Sequence, residues 1–140
     1  MVVAGAVTDD GDRYGRVTNA ERYRVLHDAA DGIVAALAER PDITVERGGP
    51  DLDPDLAGRA AGCERVTRIT RDGASATTVT IAWTAFPGVL VRSRADSPDV
   101  EAFPRCGCDA CDEPPDALAD ELRATIADLL PPAPPGRATV

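Results

Sequence analysis

The sequence contains no lysine and no glutamine, and all fifteen of its basic residues are arginine. Without lysine, covalent catalysis through a lysine amine or a Schiff base is excluded. Serine is scarce, none of the serines lies in a Gly-x-Ser-x-Gly motif, and His27 is the single histidine that could serve a catalytic dyad. These absences favour a protein that is not an enzyme.

Long apolar runs are also missing, since no stretch approaches the about 18 apolar residues that a membrane helix needs. Residues 1–7 lack the basic region and the apolar length of a signal peptide, so we expect a cytoplasmic protein without membrane contact. The net charge of −9 disfavours nucleic acid as a partner and leaves a protein partner open.

The length of 140 residues fits one domain, although Val, Ile, Leu and Phe make up only 29 of them, which predicts a thin core. Glycines and acidic residues in 1–15 indicate a flexible arm, and prolines in 131–140 indicate a disordered tail. The folded domain is therefore expected at 16–130.

Periodicity predicts the elements of an α+β domain. Apolar residues recur at helical spacing in 18–40, where Thr18 and Glu21 have the spacing of a capping box, and again in 116–130. Strand patterns occupy 43–47, 64–71, 77–85, 89–94 and 99–103, and Trp83 falls on the apolar face of its strand. We expect an N-terminal helix, an antiparallel sheet of about four strands and a C-terminal helix, with both helices on one face.

The most informative feature is a cluster of three thiols, Cys106, Cys108 and Cys111, between the last strand and the second helix. Zn²⁺ prefers four nitrogen or sulfur ligands, and the two-residue gap from Cys108 to Cys111 is typical of zinc sites. The cluster predicts a structural Zn²⁺ site. The candidates for a fourth ligand are Cys63, Asp109 and His27.

Two other interpretations of the cluster stay open. The thiols could form a redox switch through reversible disulfides, or they could simply pack a tight turn in a reducing cytosol. The segment from Cys106 through Glu121 contains six acidic residues and no basic residue, and such a field raises thiol pKa and opposes a reactive thiolate. A third function, a protein-interaction adaptor without metal, does not depend on the cysteines.

Charged residues elsewhere predict little chemistry. The acids of 51–55 have Leu56 where a calcium loop needs glycine, so we expect a solvated turn. The arginines of the strands are expected at exposed positions that resist edge aggregation, and the alternative is a patch for an acidic partner. They are Arg65, Arg68, Arg71, Arg92 and Arg94.

Three segments, 14–23, 86–88 and 103–113, resemble an uncharacterised actinobacterial family of small proteins of unknown function, and the resemblance spans 14–130. The most specific part is the segment Cys-Gly-Cys-Asp-Ala-Cys-Asp-Glu that begins at Cys106. The resemblance implies a bacterial cytoplasmic setting and supplies no activity. Related sequences carry an aromatic residue and a histidine shortly before Phe103, where this chain has 96–99, so a ligand there would be lost.

Overall fold

Five strands form one antiparallel sheet in the computed structural model, which describes residues 20–59, 62–72, 77–93, 99–105 and 113–131. Each strand pairs with the next one along the chain, so the spatial order equals the sequence order. The strands are β1 (Ile43–Gly48), β2 (Cys63–Arg71), β3 (Thr77–Thr84), β4 (Gly88–Arg92) and β5 (Val100–Phe103). All five segments with strand patterns form strands, including the short edge strand β5 beside β4, so the sheet has five strands where about four were expected.

Within the described ranges, three α-helices accompany the sheet: α1 (Arg24–Ala38), the single-turn α2 (Pro54–Ala57) and α3 (Pro115–Leu129). A 3-10 turn, Ala20–Tyr23, leads into α1. Thr18 lies outside the described residues, and Glu21 accepts a hydrogen bond from Arg24 Nε at 2.7 Å. The structure therefore shows the Glu21 side chain bonded within the first helical turn, and the expected capping box is not tested.

Both long helices pack on one face of the sheet, as predicted. Apolar residues at helical spacing on α1 and α3 meet alternate residues of the strands, and Trp83 is buried among them. The fully buried side chains of this core include Tyr23, Leu26, Ile69, Ile81, Trp83, Phe103, Leu122 and Ile126.

The two long helices run parallel to each other. At their beginnings the Tyr23 hydroxyl donates to the carbonyl oxygen of Glu113 at 2.9 Å, and at their ends Arg40 Nη1 donates to the carbonyl oxygen of Leu130 at 2.8 Å. The beginnings of α1 and α3 therefore meet at the sheet end from which the cysteine segment departs. No helix in the described ranges is long and apolar enough to cross a membrane.

The opposite face of the sheet is covered by the connection from β1 to β2. A 3-10 turn, Pro50–Leu52, and helix α2 bring Leu56 onto Val66 and Ala82, where all three side chains are fully buried. The expectation of a solvated turn over 51–55 is wrong for Asp53, which is buried. Asp53 caps α2, since its carboxylate accepts from the backbone amide of Leu56 at 3.1 Å, and this bond turns the chain toward the sheet.

Candidate functional site

The cysteine segment begins and ends at residues that lie side by side. Cys106, Cys108, Cys111 and Asp109 are outside the described residues, but their neighbours Arg105 and Glu113 are within them. Arg105 Nη1 lies 3.8 Å from Glu113 Oε1, and Arg105 Nη2 donates to Glu121 Oε2 at 2.9 Å. One guanidinium thus joins the end of β5 to the beginning and the first turns of α3.

Electrostatics at this junction are set by the same arginine. The hydrogen bond from Arg105 holds the pKa of Glu121 below its usual value, and the two carboxylates around Arg105 raise the pKa of that guanidinium. The cation that directly precedes Cys106 in the sequence is therefore already paired with acids. It has little positive potential left to stabilise a thiolate.

A buried tyrosine fixes the beginning of α3. Tyr23 is fully buried at the end of the 3-10 turn, and its hydroxyl donates to the carbonyl oxygen of Glu113 while it accepts from Arg22 Nη2 at 3.0 Å. Its ring packs against Phe86, with the ring centroids 5.9 Å apart. The residue that follows the cysteine segment is thus tied to the N-terminal end of α1.

The end of β5 is fixed by a close backbone approach to β4. A Cβ atom on Gly88 would lie 2.8 Å from the carbonyl oxygen of Phe103 and 3.3 Å from Cδ of Pro104. Any side chain at position 88 would therefore push β5 away, which explains glycine there. The peptide bond between Phe103 and Pro104 is cis.

His27 lies at this same junction, on the helix-covered side of the sheet. Its Nε2 is 3.0 Å from the carbonyl oxygen of Gly88, and its side chain is buried. Because a carbonyl oxygen only accepts, Nε2 carries the hydrogen of this bond. The observed role of His27 is to hold the beginning of β4 against α1; its predicted role as a fourth ligand is not tested.

Cys63 lies on the other face of the sheet. It opens β2 and packs beside Leu56 and Val66, and its Sγ is 3.6 Å from the carbonyl oxygen of Arg65. Burial raises the pKa of the Cys63 thiol, which opposes ionisation. Cys63 in β2 pairs with Thr84 in β3. It therefore lies at the same end of the sheet as His27 but on the opposite face. These two candidate ligands therefore do not converge, and the described residues contain no group of three or more His, Cys, Asp or Glu that could hold a metal.

A second charged cluster, on the face away from the long helices, was missed by sequence reasoning. Arg92 is 3% exposed, and its Nη1 donates to Asp53 Oδ2 at 3.1 Å while Nη2 donates to the carboxylate of Asp55. The expectation of exposed strand arginines is therefore wrong for Arg92. The sequence did offer two signals for this pair. Arg92 directly follows three apolar residues of a central strand, and Asp53 with Pro54 has the pattern of a helix start.

The other strand arginines behave differently. Arg65 is exposed, stacks 4.3 Å from the ring centroid of Trp83 and pairs with Asp31, as a position at the sheet surface would. Arg68 pairs with Glu46 and donates to the carbonyl oxygen of Leu52 at 2.7 Å. Arg94 lies outside the described residues. Arg65 and Arg68 thus serve internal contacts in the described part of the chain.

Fold and junction together define a small α+β protein, in which an antiparallel meander carries two parallel helices on one face. The chain belongs to a family of unknown function (DUF6226), whose family model matches residues 5–130. The match includes the cysteine segment, and it confirms the resemblance to an uncharacterised family. No curated protein and no solved structure matches the chain.

Proposed function

We propose that the protein is a small non-catalytic domain in which Cys106, Cys108 and Cys111 bind one structural Zn²⁺. The ion would tie the end of β5 to the beginning of α3. The observation that carries the proposal is the 3.8 Å ion pair between Arg105 and Glu113. Only seven residues connect these two positions, so three thiols are available within one short connection whose ends are held together.

Local charge supports zinc over a redox function. Arg105, the residue directly before Cys106, is already paired with Glu113 and Glu121, so it offers a thiolate little positive charge. A divalent cation supplies that charge itself and binds thiolates directly. Burial raises the pKa of the Cys63 thiol, and this thiol lies on the sheet face away from α3; both features argue against Cys63 as a disulfide partner of the cluster.

A metal at this position has a physical purpose in a chain with a thin core. Zinc that binds only the folded site adds its binding free energy to the free energy of folding. The connection from β5 to α3 is also where the sheet and the helical layer are joined covalently. Zinc there would fix the sheet, at the end of β5 beside Phe103, relative to the helices, at the beginning of α3 beside Tyr23.

The proposal is tested by the metal content of untagged protein purified without chelator, measured by elemental mass spectrometry. We expect about one zinc per chain in the wild-type protein and none in the variant with Cys106→Ser, Cys108→Ser and Cys111→Ser. Cys63→Ser is the matched control and should retain zinc, because the Cys63 thiol packs beside Leu56 and Val66 on the sheet face away from α3. Zinc that persists in the triple variant, or is absent from the wild type, overturns the proposal.

The fourth ligand is tested by Co²⁺ substitution, because the position and intensity of the visible d–d bands of Co²⁺ depend on all of its donor atoms and on their geometry. His27→Asn and Asp109→Asn are compared with Cys63→Ser in this assay. A changed spectrum in one of the first two variants identifies that ligand. Metal-free wild-type protein whose clustered thiols oxidise reversibly under mild peroxide would replace the zinc proposal by the redox switch.

A further inference from the structure

An open groove of about 410 Å³ runs between helices α1 and α3 on the side away from the sheet. Its floor consists of small and aliphatic side chains, and its charged residues are Asp28, Arg40 and Arg123. The apolar lining is Ala29, Gly32, Ile33, Ala36, Leu37, Ile126 and Ala127. Nothing in the proposed zinc site uses this surface.

The chain itself enters at one end of this groove. Arg40 lines the groove and donates from Nη1 to the carbonyl oxygen of Leu130 and from Nη2 to that of Pro131, at 2.8 and 3.0 Å. Arg71 also donates to the carbonyl oxygen of Pro131, at 3.3 Å. Two arginines therefore fix the point from which the segment 132–137 continues.

Charge at the other end of the groove complements that segment. Arg40 is paired with Asp42, and Arg123 is paired with Asp120 at 3.0 Å. Asp28 is exposed and forms no salt bridge with any residue in the described ranges, and its charge adds only a minor contribution to the raised pKa of Arg24, for which Glu21 is the main cause. Arg137 is the one basic residue after Arg123, so it is the natural counter-charge for Asp28 from this part of the chain.

The lengths also agree. Asp28 and Arg40 are twelve residues apart, which is about 18 Å along a helix axis at about 1.5 Å per residue. Six residues separate Pro131 from Arg137, and an extended polyproline segment at about 3.1 Å per residue spans about 19 Å. A proline-rich segment that starts at Arg40 and runs back along α1 thus brings Arg137 level with Asp28.

We propose that the α1/α3 groove is the docking site for the chain's own residues 132–137, with Arg137 paired to Asp28. The groove contains no aromatic residue, which is the feature that independent proline-rich ligands require. A segment attached at Pro131 has an effective concentration near the millimolar range, so a weak contact is enough. The tether therefore favours this occupant over a proline-rich segment of another protein.

The test is a charge exchange in the full-length protein, followed by ¹⁵N relaxation of Ala138 and Thr139 and by the amide shifts of Gly32 and Ala36. Asp28→Arg and Arg137→Asp should each lower the docking equilibrium constant about two- to fivefold, as expected for one exposed ion pair. The double variant should restore it. Asp128→Arg is the control, since it makes the same charge change on α3 at a residue that does not line the groove.

Each other outcome overturns the proposal. Single variants that leave relaxation and shifts unchanged would show that the segment does not occupy the groove. Two single variants with losses that the double variant does not restore would show that Asp28 and Arg137 are not paired. Shifts of Gly32 and Ala36 that depend on protein concentration would assign the groove to a second copy of the chain.

Discussion

The Tyr23 hydroxyl donates a 2.9 Å hydrogen bond to the carbonyl oxygen of Glu113, a residue 90 positions away in the sequence. This bond joins the beginning of α1 to the beginning of α3, directly after the cysteine segment. Because Tyr23 is fully buried, a partner lost from either end is not replaced freely by water. The bond is therefore one of the contacts that define where the segment returns to the fold.

Tyr23→Phe tests this contact with little change in packing. The ring is kept, and the hydroxyl loses both its bond to the carbonyl oxygen of Glu113 and its bond from Arg22, so we expect a loss of about 1–3 kcal/mol in the free energy of unfolding. Urea denaturation followed by circular dichroism measures it. Phe86→Leu, which removes the ring packed on Tyr23 but keeps the bond, provides the comparison. A Tyr23→Phe variant with wild-type stability would show that the bond contributes nothing.

Arg92 provides a prediction about the strap that covers the second face of the sheet, formed by residues 49–58. Arg92→Met leaves the buried carboxylate of Asp53 without its cation, and we expect a loss of about 3–5 kcal/mol. Asp53→Asn keeps a side-chain oxygen that can cap α2, and Arg92 retains Asp55, so the loss should be smaller. The two variants are compared by urea denaturation.

A control for that comparison is Arg68→Met, which lies on the same face but pairs with the exposed Glu46. It should cost less than Arg92→Met, because water can solvate the carboxylate left behind. Equal losses for Arg68→Met and Arg92→Met would contradict the distinction between a buried and an exposed pair.

The long elements could be predicted from sequence because each carries its own pattern. The buried residues Leu26, Ala30, Val34 and Leu37 repeat at helical spacing, and Val79, Ile81 and Trp83 alternate in one strand. These patterns arise from burial on one side of a single element. They need no knowledge of which element lies opposite.

The strap could not be predicted in the same way. A four-residue helix carries too little periodicity, and the burial of Asp53 depends on Arg92, which lies 39 positions further along the chain. In the sequence, aspartates beside a proline predict a turn at the surface. Only the pairing of β4 within the sheet shows that Arg92 points to the face where the strap lies.

The cysteine site was predicted only from the close spacing of three cysteines in the sequence, and this spacing is the same in any fold. What the sequence could not supply is the arrangement around it: the contact between Arg105 and Glu113, and the opposite faces of His27 and Cys63. The face on which Cys63 lies follows from strand register, and the contact between Arg105 and Glu113 follows from the position of α3 beside the end of β5. A shift of one residue would have placed Cys63 on the other face.

Replacing glycine by alanine should have opposite effects on stability at Gly62 and at Gly32. Gly62 has φ of 74°, and a Cβ there would lie 2.6 Å from Cβ of Ala85. Gly62→Ala should therefore destabilise the protein by at least about 1–2 kcal/mol from conformation alone. Gly32 lies within α1 with nothing inside 4 Å of its Cβ position, so Gly32→Ala should stabilise it by about 0.5–1 kcal/mol.

Thermal and urea unfolding of both alanine variants check these signs. The double variant of Gly62→Ala with Ala85→Gly removes the clash but keeps the positive φ, so it should recover part of the loss. Full recovery would mean that the clash, and not the backbone conformation, sets the cost at position 62.

The pairing of Arg105 with Glu121 predicts a dependence of stability on pH. Arg105 lowers the pKa of Glu121 below its usual value of 4.5 in the folded protein. The unfolded chain binds the proton first as pH falls, so the pair stabilises the protein above about pH 4.5 and loses that effect as pH falls through the folded pKa.

A double-mutant cycle of Arg105→Met and Glu121→Gln isolates this pair from Glu113. We expect a favourable coupling at pH 7 that decreases steadily from pH 5 to pH 3 and shrinks in high salt, because the pair is exposed to solvent. A coupling that stays constant over this range would show that the contact acts through packing of the Arg105 side chain and not through its charge.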